Sequence, residues 1–239
     1  MTVELHLDDG SRLFVPATIM RRHRHVTDRD YAVTSFIKRH QAFMITTFGA
    51  LGVISGATLS LLLALNARDT RLWIWPATHG SWQSYLFWFL FRTLNICTLL
   101  LSAVDWQPMI ALDPIRIAAV SIAAVGAVLY ISACIRLGRD NLYCGIRGLT
   151  TSGIYRWSRN PQYAIAIPSY VALAIASQSH LLPVLVVLLV FVFWLMAVNE
   201  EPWLEAEYGA AYVEYKQAVP RFYNVGKLKL CSAGSAPHG

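Results

Sequence analysis

The chain is short of charge. Of its 239 residues only 20 are Lys or Arg and 14 are Asp or Glu, while 56% are hydrophobic, which is too much apolar surface for a water-soluble domain of this length. Residues 41–65 contain no charge at all. The four cysteines, Cys97, Cys134, Cys144 and Cys231, show no metal-ligand spacing and read as small core residues. The pair His23 and His25, with His40 further on, lacks the nearby carboxylate or Cys that a metal site needs, so no metal is expected. The first 40 residues are polar, with the cluster RRHRH at 21–25 and no apolar core of signal-peptide type; a cleaved targeting signal is not expected. A recognised nucleic-acid-binding motif is also missing. The formal net charge of +6 therefore points to anionic lipid headgroups rather than to nucleic acid.

What is present is a set of membrane-length apolar runs. The segment 41–65, at about 1.5 Å per helical residue, is long enough to cross roughly 30 Å of hydrocarbon, and Gly49, Gly52 and Gly56 give it a small-residue stripe for close packing. A second span covers 82–104 and carries Arg92 and Asn95. An intramembrane arginine is costly, so Arg92 either holds the anionic end of a substrate or snorkels or pairs with a neighbouring helix. Asp113-Pro114 opens a third span over 115–137. A fourth, 161–177, contains Pro168, expected to bend it, and only three residues separate it from a fifth at 181–198. The fold expected is all-α: a polytopic membrane bundle of about five transmembrane helices, in which spans four and five form a hairpin and an amphipathic helix follows. The organisation expected is a polar basic segment at 1–40, three spans within 41–137, a site-bearing region at 138–222, and a tail at 223–239.

That hairpin brings the stretch before span four to the same membrane face as the stretch after span five. The first is GLTTSGIYRWSRNPQY at 148–163, with Arg136, Arg139, Arg147, Arg156 and Arg159 in or beside it. Asn160-Pro161 is a helix-start signal, with Asn160 expected to cap through its side chain. The N-terminus of span four, with Arg159 beside it, suits a carboxylate or phosphate, and Tyr155, Trp157 and Tyr163 offer faces for a nucleobase. The same residues also suit a juxtamembrane loop that binds lipid phosphate. The second stretch begins with Glu200 and Glu201, followed by Pro202, expected to kink or restart the helix. Leu204, Tyr208, Ala211 and Tyr215 recur at helical spacing, as in a segment lying along the membrane surface. The face bearing both stretches collects eleven basic residues against eight on the other, which favours a cytoplasmic site.

TSGIYRWSRNPQY, followed about 37 residues later by NEEPWLEAEYGAAYVEYKQAVPRF, resembles the paired signature of the isoprenylcysteine carboxyl methyltransferase family and its bacterial phospholipid-methyltransferase-like relatives. The resemblance covers roughly 137–222, a third of the chain. It implies a multi-span enzyme of a bacterial inner membrane that uses S-adenosylmethionine and acts on a lipophilic small molecule or lipid. Carried onto this sequence, it makes Leu149 and Thr150 backbone-contact positions and Tyr155 the loop tyrosine. Asn160, Pro161, Gln162 and Tyr163 fill the Arg-His-Pro-x-Tyr type motif behind Arg159, and Glu200 would hold the cofactor's ammonium. Glu201 or a tyrosine would take the proton that an amine acceptor must shed, with Arg92 as a second catalytic candidate.

The sequence departs from that family at three places. Asn160 stands where eukaryotic members have histidine, Ile165 where a glycine commonly follows the tyrosine, and Met196 where prenylcysteine enzymes place an arginine suited to the substrate carboxylate. Two other readings stand beside methyl transfer. Membrane sterol and steroid reductases, which bind NADPH, share a similar tyrosine-glycine and valine-proline tail, but with an Arg-Asp-Glu run and a Lys where this chain has Asn199-Glu200-Glu201 and Glu207. A non-catalytic lipid-binding protein is the third. Neither the methyl acceptor nor the oligomeric state is set by these motifs.

Overall fold

The computed structural model describes residues 2–6, 12–69, 73–108, 113–138 and 148–223, with side chains from residue 33 onward. Arg71, Arg139, Cys144, Arg147, Lys227, Lys229, Cys231 and the tail from 224 lie outside the described residues, as do the side chains of the 21–25 cluster. The chain divides into two compact units, Met1–Thr46 and Thr47–Gly239.

In the first unit, strands β1 (Thr2–His6) and β2 (Arg12–Pro16) pair antiparallel, in register from Thr2 opposite Pro16 to His6 opposite Arg12. The alternation of Val3 and Leu5 with Thr2, Glu4 and His6, and the apolar run Leu13-Phe14-Val15, are sequence signals for such a ladder. Helix α1 (Ala17–Arg68) starts in this unit and ends in the second. It thus begins well before the apolar run at 41–65.

The second unit contains α2 (Trp82–Val104), α3 (Pro114–Leu137), a 3-10 turn (Gly153–Arg156), α4 (Pro161–Ser177), α5 (Leu182–Tyr208) and α6 (Ala210–Ala218). Among the described residues, four helical segments are long and apolar enough to cross a membrane: Val33–Arg68, Trp82–Val104, Pro114–Leu137 and Leu182–Tyr208. The protein is an all-α, membrane-embedded helical bundle apart from its short N-terminal ladder. The expected count of five spans is not met by length and composition, because α4 has only 17 residues and Pro168 inside it.

Local chemistry explains where the helices start and stop. Ser81 caps α2, its Oγ accepting from the Ser84 N–H at 3.2 Å. Asp113 caps α3, accepting from the N–H groups of Ile115 (2.9 Å) and Arg116 (3.4 Å), with Pro114 in the first turn. Two expectations are corrected. Of the two outcomes expected at Pro202, the restart does not occur: α5 runs through it to Tyr208, so Glu200 and Glu201 sit on α5 itself. The break falls at Gly209, whose φ of 56° and ψ of −132° lie where L side chains are strained, and α6 starts there. The amphipathic stretch 203–215 is thereby divided between two helices.

Without water to drive helix association, packing and polar satisfaction hold the bundle. Gly52 and Gly56 of α1 face α5, where an added Cβ would stand 2.8 Å from Leu185 and 3.0 Å from Leu188. At the crossing of α3 and α4, a Cβ on Gly126 would come within 1.9 Å of Ser169 Oγ. Pro168 has no N–H for the carbonyl of Ala164. The Tyr223 hydroxyl donates to that oxygen instead.

At the C-terminal end of α4, Arg116 is 3% exposed. Its Nε donates to Ala176 O at 3.0 Å, and its terminal nitrogens donate to Gln107 O (2.7 Å) and Pro108 O (3.3 Å). A cation on the last carbonyls of a helix is favourable for both hydrogen bonding and the helix dipole. Arg116→Met is expected to lose about 2–3 kcal/mol of stability through these charged bonds, read as a lower melting temperature in detergent.

Candidate functional site

The N-terminal end of α4, the last turns of α5, and α6 converge. Tyr163, in the first turn of α4, donates its hydroxyl to Glu200 Oε1 at 2.6 Å, so residues 37 positions apart in the chain meet at one end of the helix pair. Four residues connect α4 to α5, and the two helices pack antiparallel behind this bond. Phe193 of α5 stacks on Tyr163 with ring centroids 5.3 Å apart.

Glu200 and Glu201 do different things. Successive residues on a helix point about 100° apart. Glu200 borders a cavity and accepts two neutral donors on Oε1, Tyr163 and the indole Nε1 of Trp75 at 2.8 Å. Glu201 is 6% exposed and faces basic side chains. It accepts from Arg221 in a bidentate pair (2.6 and 2.8 Å), lies 3.0 Å from Arg159 Nη1, and 3.6 Å from Lys216 Nζ. Lys216 also pairs with Glu205. A carboxylate held by three cations fastens α5 to the segment entering α4, to α6 and to the segment that follows α6.

The 148–163 stretch is pinned by the C-terminal PRF sequence. Arg159 N donates to Pro220 O at 2.9 Å, and Asn160 N and Ser158 Oγ each donate to Arg221 O at 3.2 Å. This corrects the expected role of Asn160. Its side chain makes no cap for α4; its amide nitrogen donates to Arg221 O instead, at 3.2 Å. Tyr155 donates its hydroxyl to Gln162 Oε1 (3.2 Å), and its carbonyl accepts from the Tyr215 hydroxyl (2.6 Å). Tyr212, Tyr215 and Val219 form a buried cluster joined by Leu149. Burial is the main cause that raises the phenols of Tyr155 and Tyr212 above their ordinary range and pushes Tyr215 up to about 12. They remain neutral at physiological pH.

Between these elements lies a cavity whose empty space, open mouth included, is ≈ 1030 Å³, lined mainly by aromatic and apolar side chains with a few polar groups among them. Of the residues expected to bind a cofactor, Leu149, Thr150, Tyr155, Arg159, Asn160, Gln162, Tyr163 and Glu200 line it. Pro161 is buried in the first turn of α4 but does not line it. Nor do the two catalytic candidates. Glu201 sits behind Arg159, and Arg92 is exposed on α2 with its guanidinium 5.4 Å from the Trp88 ring centroid. Arg159 borders the cavity with its side chain 8% exposed, and its buried Nε has no hydrogen-bond partner among the described residues. Free Cys134 is half-buried and also borders the cavity, whereas Cys97 is buried in α2.

Sequence reasoning missed much of the aromatic wall. Trp75, Trp88 and Phe91 come from the first half of the chain, and Trp203, Tyr208 and Tyr212 from the last. The signal was the run Trp73-Ile74-Trp75-Pro76 beside a span, which reads equally well as interfacial anchoring.

Residues 115–211 match the family model for phospholipid methyltransferase. The match spans about two fifths of the chain and includes α3 from its second residue and the whole of α4 and α5, with Tyr163 and Glu200. It supports a membrane methyltransferase of the phospholipid-methyltransferase type and does not single out the isoprenylcysteine carboxyl branch. No curated protein and no solved structure matches the chain.

Proposed function

We propose that this cavity binds S-adenosylmethionine and that the protein transfers its methyl group to the polar head of a lipophilic acceptor. The observation that carries the reading is that Glu200 and Arg159, one acidic and one basic side chain, both line one aromatic-walled cavity. An amino-acid moiety needs an anionic partner at one end and a cationic donor at the other. Glu200 holds the ammonium. Arg159 and the N-terminal end of α4, uncapped by any side chain, hold the carboxylate. The walls of Tyr155 and Tyr163 take the adenine.

When bound, the cofactor supplies an electrophilic methyl group on a cationic sulfur, so no metal is required for the transfer. The residues of this chain align the acceptor and exclude water from the cavity. Glu201 positions Arg159 and the α6 segment. Met196 is 3% exposed and lines the cavity where prenylcysteine enzymes would have arginine, so an acceptor carboxylate has no cationic partner there. The basic residues on the site's side of the bilayer favour a cytoplasmic mouth.

The test is a thermal melt of the purified protein in detergent with S-adenosylmethionine or NADPH. The donor should raise the melting temperature, by mass action on the folded state, and NADPH should leave it unchanged. A rise with NADPH alone transfers the site to reductase chemistry, and no rise with either leaves a lipid-binding protein.

A further inference from the structure

One wall of the cavity comes from the chain that precedes the family match. Trp75 lies in the connection between α1 and α2, is 5% exposed, and stacks on Phe87 with centroids 4.2 Å apart. Its Nε1 donates to Glu200 Oε1, the oxygen that also receives the Tyr163 hydroxyl. Two donors on one oxygen fix the plane of the carboxylate and direct Oε2 to a third donor. Indole and phenol are both uncharged, so they orient Glu200 without neutralising it.

Trp75 is in turn held from behind by two buried amides. Asn66 Nδ2 donates to Trp75 O (2.9 Å) and to Asn199 Oδ1 (2.6 Å), while Asn66 Oδ1 accepts from Ile74 N (2.8 Å). Asn199 Nδ2 donates to Leu63 O (3.1 Å) and Leu195 O (2.8 Å). Every donor hydrogen of both amides is used, and both carbonyl oxygens accept. A satisfied buried network of this kind rigidifies what it touches. Because Asn199 immediately precedes Glu200 on α5, the device that fastens Trp75 and the carboxylate that Trp75 contacts share one helical turn.

We propose that Trp75 is a binding residue of this site, and that Asn66 and Asn199 are positioning residues that set its indole against Glu200 so that the carboxylate receives the ammonium of the bound methyl donor. This rests on the methyl-donor reading above. It assigns to the first 80 residues a part in cofactor selection that residues 115–211 do not supply alone.

The experiment titrates detergent-solubilised protein with S-adenosylhomocysteine by calorimetry and measures 5′-methylthioadenosine, which lacks the amino-acid moiety, by displacement. Trp75→Phe keeps the ring and removes the N–H. It should weaken S-adenosylhomocysteine about tenfold and leave 5′-methylthioadenosine nearly unchanged. Asn66→Ala should show the same selective loss. Equal weakening of both ligands would make Trp75 a wall only and overturn the proposal, as would unchanged affinity for both. Should Asn66→Ala fail to fold, Trp75→Phe decides. If the wild-type protein binds neither ligand, the methyl-donor reading has failed and this proposal falls with it. If the wild type binds and Glu200→Gln weakens S-adenosylhomocysteine but Trp75→Phe does not, only the present proposal has failed.

Discussion

Glu200→Gln is expected to weaken binding of S-adenosylmethionine about ten- to a hundredfold, the cost of a charge-assisted hydrogen bond in a site sheltered from water. The substitution is close to isosteric, and an amide oxygen at the same position can still accept from Tyr163 and Trp75. Fold and cavity should therefore survive while the charge is lost. Calorimetric titration of wild type and variant, with melting temperatures recorded alongside, separates the two effects. An unchanged dissociation constant would remove Glu200 from the ammonium site. A collapse in melting temperature would show that the carboxylate's main role is structural.

The neighbouring residue should behave in the opposite way. Glu201→Ala leaves Arg159, 8% exposed, without its counter-ion and frees Arg221 and Lys216 to repel one another. Breaking a buried pair from one side typically costs about 3–5 kcal/mol, so the variant should melt far lower and lose the docking of α6. Limited proteolysis after residue 209 would report that loss directly. If Glu201→Ala melts like wild type, the cluster is not a fastening, and a proton-accepting role for Glu201 regains ground.

How differently two adjacent glutamates behave shows where sequence reading stops. That 200 and 201 were both acidic at a helix end was visible, as was the helix-start character of Asp113-Pro114 and Asn160-Pro161, because these depend on neighbours along the chain. Which carboxylate faced a cavity and which faced arginines depends on helix phase and on Arg221, Lys216 and Arg159, brought in by folding. Trp75 was hidden for the same reason: an interfacial tryptophan and a ligand wall have one composition. Asn160 was misjudged because the capping rule weighs only the local N–H donors its Oδ1 could accept from, whereas the distant carbonyl of Arg221 accepts from its Nδ2. The continuity through Pro202 was only partly legible, since a proline after two acids reads equally as a kink or a restart until α5 is seen to continue.

The Tyr223 hydroxyl on the Ala164 carbonyl has a bearing on how the chain is made. Pro168 opens a gap in the α4 ladder that no residue of α4 can close, and the group that closes it lies 59 positions downstream. During synthesis the ribosome must deliver almost the whole described polypeptide before that oxygen finds its donor. The entrance turns of α4, where Asn160 and Tyr163 sit, thus gain this bond only after Tyr223 has been added to the chain.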